Sequence, residues 1–209
     1  MSNEIRNQAE ETALTQSTEI ERVLDEEGDD VLNENDCCTA EDIEEAVKAF
    51  ILGDITLAQL EGISAEEIYA VADMGYDLFE EGKIEEAKKI FEGLYTYNPM
   101  DAYFRTVLGS IYQRQSNFAE AAGHYAAAVE LYPEDVTAWT NLGETQLQWA
   151  ASLQQSGDAD RAAQAFTGAV EALTQAVERT SADDENESGL RARALINVAA
   201  SIYESRQSA

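Results

Sequence analysis

Gly75, Gly109 and Gly143 are separated by 34 residues and then by 34 again. Each glycine sits in a matching frame. Val71, Met74 and Leu78 surround the first, Arg105, Leu108 and Tyr112 the second, and Trp139 and Leu142 the third. Downstream, Ala87, Phe91 and Leu94 return as Ala121, Tyr125 and Ala128, and Pro99 returns as Pro133. Spacings of three and four inside a 34-residue period call for one helical hairpin per repeat. Gly and Ala let the two antiparallel helices cross closely, large side chains fill the gaps beside them, and Pro ends the second helix. One hairpin cannot bury both its faces, so neighbouring hairpins must stack.

Period and pattern together are similar to the tetratricopeptide repeat. The resulting expectation is an all-α chain: tandem tetratricopeptide hairpins in an α-solenoid, with an N-terminal helix before them and a C-terminal capping helix after them. Three hairpins are placed at 64–180. The third is long. Gly157 follows Gly143 by 14 residues, whereas Gly82 follows Gly75 by seven. Seven extra residues are nearly two helical turns, which keeps the buried face in phase and extends the hairpin by roughly 10 Å.

Residues 1–38 are acidic and polar with scattered single apolar residues, a composition that does not repay ordering entropy, so little fixed structure is expected there. A helical region is expected at 39–63, starting at Thr39 and carrying Ile43, Val47, Phe50 and Ile51 on one stripe up to Gly53. Ser64 and Glu67 form a capping-box pattern at the start of the first hairpin. An acidic loop is expected at 181–188 and a capping helix at 189–207, with Leu195, Val198, Ala199 and Ile202 apolar. The stripe Ile43, Val47, Phe50 and Ile51 either folds back on the first hairpin or serves as a homodimer interface.

The 42 acidic residues against 13 basic ones give a formal net charge of -29, which sets the chain against nucleic-acid phosphates and anionic membrane surfaces. The same charge suits basic or apolar polypeptide partners, or a shell solvated at high salt. No apolar run approaches the length of a membrane span, and the N-terminus lacks a signal-peptide layout, so a cytoplasmic site is expected. Cys37 and Cys38 are adjacent and have no ligand-spaced Cys or His beside them, so neither a disulfide nor a metal site is expected. The lone His124 has no nucleophile pattern around it, and no phosphate-binding glycine loop is present. Binding without a cofactor, not catalysis, is the expected activity.

Repeat arithmetic places one face of the first helix of each hairpin along a concave groove. The expected groove residues are Tyr69, Ala72, Tyr76 and Phe79, then Tyr103, Thr106, Ser110 and Gln113, then Thr140 and Glu144 with their neighbours Thr137 and Leu147. The groove is aromatic at one end and small and polar at the other. None of these positions is cationic, which disfavours the clamp that related arrays use for the acidic C-termini of heat-shock chaperones.

The stretch from Ile43 to about Pro133 resembles the class II chaperones of bacterial type III secretion systems. The resemblance lies in the order of parts: an apolar helix, the segment Gly53 to Ser64, the helix with Tyr69, Tyr76 and Phe79, the turn Glu81-Gly82-Lys83, then Glu86 to Phe91. It implies a bacterial cytoplasmic chaperone whose groove holds an extended Pro- and Leu-bearing segment of a hydrophobic, membrane-inserting translocator before export. It also implies a homodimer through the N-terminal region. Tyr76 and Phe79 match the family's aromatic groove positions. The long third hairpin, the acidic tail and the extra C-terminal helix depart from the family pattern. The alternative is a general tetratricopeptide scaffold or regulator in a multiprotein assembly.

Overall fold

Local side chains set the helix starts. Ser64 Oγ accepts from the Glu67 amide at 3.2 Å while Glu67 Oε2 accepts from the Ser64 amide at 3.0 Å, and Thr56 and Gln59 repeat this reciprocal cap one helix earlier. Helix ends follow the same logic. Gly157, with φ at +85°, turns the chain left-handed to close a long helix, a conformation that costs glycine little. The computed structural model describes residues 40–180 and 186–207. The expectations for 1–38, for Thr39 as a cap and for most of the acidic loop fall outside the described residues.

Among the described residues the chain is all-α. The helices are α1 (Ala40–Leu52), α2 (Leu57–Leu60), α3 (Ala65–Glu80), α4 (Ile84–Tyr97), α5 (Ala102–Arg114), α6 (Phe118–Leu131), α7 (Val136–Ser156), α8 (Ala159–Arg179) and α9 (Glu187–Gln207). They fall into two units, one through Asp101 and one from Ala102.

In the first unit α3 and α4 form a hairpin. Gly75 marks their crossing, where a Cβ would lie 2.8 Å from Ile90 Cγ2 and 2.9 Å from Phe91 Cε2. Ala72, Phe79, Ala87 and Phe91 are buried in this unit. The short α2 touches both α1 and α4, but among the described elements α1 packs on α2 alone. The apolar side of α1 is therefore open, with Ile43 55%, Val47 39%, Phe50 39% and Ile51 75% exposed.

The second unit holds two hairpins, α5 with α6 and α7 with α8, followed by α9. Gly143 marks the α7–α8 crossing, with a would-be Cβ 2.5 Å from Leu173 Cγ. Helices α7 and α8 have 21 residues each, against 13 and 14 in α5 and α6. The difference is about 10 Å of helix. Ala150, Leu153, Ala162 and Ala165 pack the far end of the long hairpin, with Trp149 and Phe166 partly buried over them. The Arg161 guanidinium stands 5.6 Å from the Trp149 ring centroid.

Helix α9 packs on both α7 and α8. Its Ala192 joins Leu173 and Ala176 in a buried cluster that Leu147, Leu195 and Ile196 flank. The buried edge of α9 runs Ser188, Ala192 and Ala199, while Val198 is 54% and Ile202 39% exposed. Two members of the apolar set read from the sequence thus lie on the outward side, because two helices rather than one set the rotation of α9.

Candidate functional site

The candidate positions sit on α3, α5 and α7, the first helix of each hairpin, and packing sorts them sharply. On α3, Tyr69 and Phe79 are each 6% exposed and Ala72 is fully buried. Tyr69 spends its hydroxyl internally, donating to Asp101 Oδ2 at 2.6 Å. Tyr76 is half-buried, its ring 6.0 Å from that of Phe79 and tilted by 46°. Tyr76 is therefore the member of this set with ring surface to offer, and Phe79 supports it from the core.

On α5, Tyr103 and Thr106 are buried, and Thr106 Oγ1 donates back to the Ala102 carbonyl. Ser110 and Gln113 are half-buried and open a polar ladder. Ser110 Oγ lies 2.9 Å from Tyr125 Oη, which donates to Gln113 Oε1 at 3.1 Å. Gln113 Nε2 donates to Gln148 Oε1 at 3.1 Å, and Gln148 Nε2 donates to Glu144 Oε1 at 3.3 Å. Glu144 Oε2 then faces Arg191 Nε at 3.7 Å, and Arg191 also donates to Asn141 Oδ1. Side chains from α5, α6, α7 and α9 thus form one connected row.

The α7 end of this row is not an open groove wall. Thr140 is fully buried, and its Oγ1 donates to the Val136 carbonyl at 2.7 Å and the Ser188 carbonyl at 3.2 Å. Thr137 Oγ1 lies 2.9 Å from Ser188 Oγ. Leu147 flanks the cluster built by Leu173, Ala176 and Ala192. The expected groove face at Thr137, Thr140 and Leu147 is therefore covered by the chain's own α9, and Glu144 is left at its margin.

Burial sets the electrostatics. The Tyr125 phenol is pushed far above its ordinary range, first by burial; Glu144 adds to the rise, while the Ser110 hydrogen bond and Arg191 oppose it. Tyr125 is a neutral donor at any physiological pH. Asp135 caps α7, accepting from the Thr137 and Ala138 amides at 2.8 and 3.0 Å, and burial raises its carboxyl above the usual range despite those bonds. Among the described residues no group of three or more His, Cys, Asp and Glu is arranged to hold a metal ion. His124 stacks on Tyr112, with centroids 5.3 Å apart.

Sequence reasoning missed Tyr125, Gln148, Asn141 and Arg191. Gln148 was within reach, since it follows Glu144 by four on one helix. Tyr125 aligns with Phe91, and the hydroxyl that differs between them was the clue. Nothing local announces Arg191, which arrives from a helix about fifty residues downstream of Asn141.

The tetratricopeptide repeat family model matches residues 72–136 and 106–176, which together span half of the chain. The chain belongs to the tetratricopeptide repeat family. Within it, the low calcium response locus protein H of Yersinia pestis is 29% identical over 87 residues, 42% of this tetratricopeptide chain and 48% of that relative. The chain thus spans about half the length of the curated relatives it matches. In fold it is similar to a T3SS complex from Aeromonas hydrophila, with a TM-score of 0.63 and 24% identity over 77% of this chain and 98% of that one. It is also similar to the Yersinia enterocolitica type III secretion chaperone SycD in complex with a peptide of the translocator YopD, with a TM-score of 0.54 and 20% identity over 66% of this chain and 95% of that one. At these identities the two structural likenesses speak for the tetratricopeptide fold. No described helix is long and apolar enough to cross a membrane.

Proposed function

We propose that this chain is a type III secretion translocator chaperone of the bacterial cytoplasm. It holds an extended segment of a hydrophobic, membrane-inserting client and keeps that client soluble and unassembled before export. The observation that carries the reading is the shared fold with SycD, a translocator chaperone solved with a translocator peptide in place. The site chemistry supports it. An extended segment brings unpaired backbone N–H and C=O groups, which the half-buried amides of Gln113 and Gln148 can match. In the first unit, taken by itself, the ring of Tyr76 offers apolar contact with few rotors to freeze. The net charge of -29 keeps a greasy client dispersed.

In the same reading the open stripe Ile43, Val47, Phe50 and Ile51 is a self-association surface. With Leu52, 68% exposed, that makes five apolar residues of α1 which among the described elements meet α2 alone, more than an isolated surface helix usually carries. The runner-up, a general scaffold in a multiprotein assembly, would use the same faces without a membrane-inserting client.

Pull-down of the full chain from its native cell, followed by mass spectrometry, tests the reading. Wild type should recover a protein with long apolar helices, and Tyr76→Ala should lose it while helical circular dichroism stays unchanged. Phe79 is left intact in this test, because truncating so buried a ring costs about 3–5 kcal/mol of stability. Recovery of soluble assembly components alone would sink the chaperone reading in favour of the scaffold.

A further inference from the structure

Helix α9 lies along the very face of α7 that repeat arithmetic assigns to a client. Thr137, Thr140, Asn141 and Glu144 meet Ser188 and Arg191 there, and several of these contacts are polar. Arg191 is held by Asn141, but its pairing with Glu144 is loose. Its Nε stands 3.7 Å from Glu144 Oε2, beyond hydrogen-bond distance, and that buried atom has no hydrogen-bond partner. Arg191 and Glu144 keep 36% and 30% of their side-chain surface in solvent, so their attraction is screened. The outer side of α9 is also unlike a permanent cap. Terminal helices of repeat arrays need a polar outer face, yet Leu190 is 51% and Val198 54% exposed.

We propose that α9 is an intramolecular stand-in for the client along α7, and that the client residue which replaces Arg191 beside Glu144 and Asn141 is itself basic. The proposal rests on the groove reading above and adds a selection rule to it. Charge supports the rule. A chain carrying 42 acidic against 13 basic residues attracts a cationic segment, and Glu144 is the carboxylate that the polar ladder presents at the edge of α9. Displacing α9 would extend the row Ser110, Gln113, Gln148 and Glu144 onto Thr140 and Thr137, giving an extended segment a continuous series of donors and acceptors.

The test uses the full chain and two fluorescein-labelled peptides, Leu- and Pro-bearing, identical except for a central Arg in one and Glu in the other. Arg191→Ala should tighten binding of the Arg peptide by roughly threefold to tenfold, the effect of losing a screened ion pair and a charged hydrogen bond from the competitor. Glu144→Gln should abolish the preference for the Arg peptide over the Glu peptide. Adding the Arg peptide to wild type should speed amide hydrogen exchange in α9 and leave α8 protected. If both peptides bind and Gln113→Ala weakens both, yet Arg191→Ala changes neither affinity nor α9 exchange, the stand-in role is wrong while the groove reading survives. If neither peptide binds wild type or Arg191→Ala, both readings fall together.

Discussion

A Cβ placed on Gly109 would lie 2.8 Å from Cε1 of the Tyr125 ring, closer than packed atoms tolerate. The ring is almost fully buried and its hydroxyl is tied to both Ser110 and Gln113, so it cannot swing aside. Gly109→Ala should destabilise the protein by about 1–3 kcal/mol despite the better helix propensity of Ala. Gly93 and Gly123 provide the control, since nothing lies within 4 Å of a Cβ at either. There the same substitution should stabilise by about 0.5–1 kcal/mol. Urea titrations of the three variants check the opposite signs; a common sign would show that backbone propensity, not the crossing, governs these glycines.

Tyr125→Phe keeps the ring in the gap beside Gly109 and deletes the hydroxyl. Ser110 and Gln113 are partly exposed and can turn to water, so the loss should be about 1 kcal/mol at neutral pH. The pH dependence is the sharper signature. An unfolded tyrosine ionises near 10.0, and burial raises the folded value above that. The folded state therefore holds its proton longer. The stability Tyr125 lends is complete below pH 10 and falls by up to about 1.4 kcal/mol per pH unit above it. Denaturation midpoints of wild type and Tyr125→Phe should stay apart up to pH 10 and converge above it; parallel curves would mean the hydroxyl is solvated.

Much of this structure is legible in the sequence. The crossings at Gly75, Gly109 and Gly143 follow from the 34-residue period, because close helix approach demands a small residue at a fixed place in each turn. The Ser64–Glu67 box follows from sidechain chemistry three residues apart. The period also names the face of α7 that holds Thr140, but it says nothing of what covers that face. Ser188 reaches Thr140 across 48 residues, and no local pattern encodes such a contact. The partner of the Tyr69 hydroxyl was hidden for the same reason, since Asp101 lies 32 residues on. Repeat position fixes direction, and tertiary neighbours decide exposure.

Asp135 gives a second pH test, at the acid end. Its folded carboxyl sits above the unfolded value of 3.8, so the folded state binds the proton more tightly. Stability from this group is greatest when it is protonated and declines as pH rises from 3.8 through the folded value. Asp135→Asn keeps a side-chain oxygen for the Thr137 and Ala138 amides without a charge to desolvate. The stability of the Asn variant relative to wild type should thus rise between pH 4 and 7, measured by paired urea titrations. Asp135→Ala, which removes the cap, should lose about 1 kcal/mol at pH 4 and less at pH 7, because it too carries no charge to desolvate.

The stripe on α1 supplies the last prediction. Ile51 is 75% and Phe50 39% exposed, while the polar side of the same helix carries Asp42, Glu44 and Glu45. A second copy brings the same apolar stripe, and removing both from water is worth about 25 cal/mol for each Å² covered. The acidic flanks oppose the pairing and are screened within about 8 Å at physiological salt. Association should therefore strengthen with salt, opposite to what an ion-paired interface would do. Light scattering of the full chain should report twice the monomer mass at high salt, and Phe50→Asp with Ile51→Asp should return the monomer with unchanged helical circular dichroism. A monomer at every salt concentration in wild type would show that α1 meets something other than its own copy.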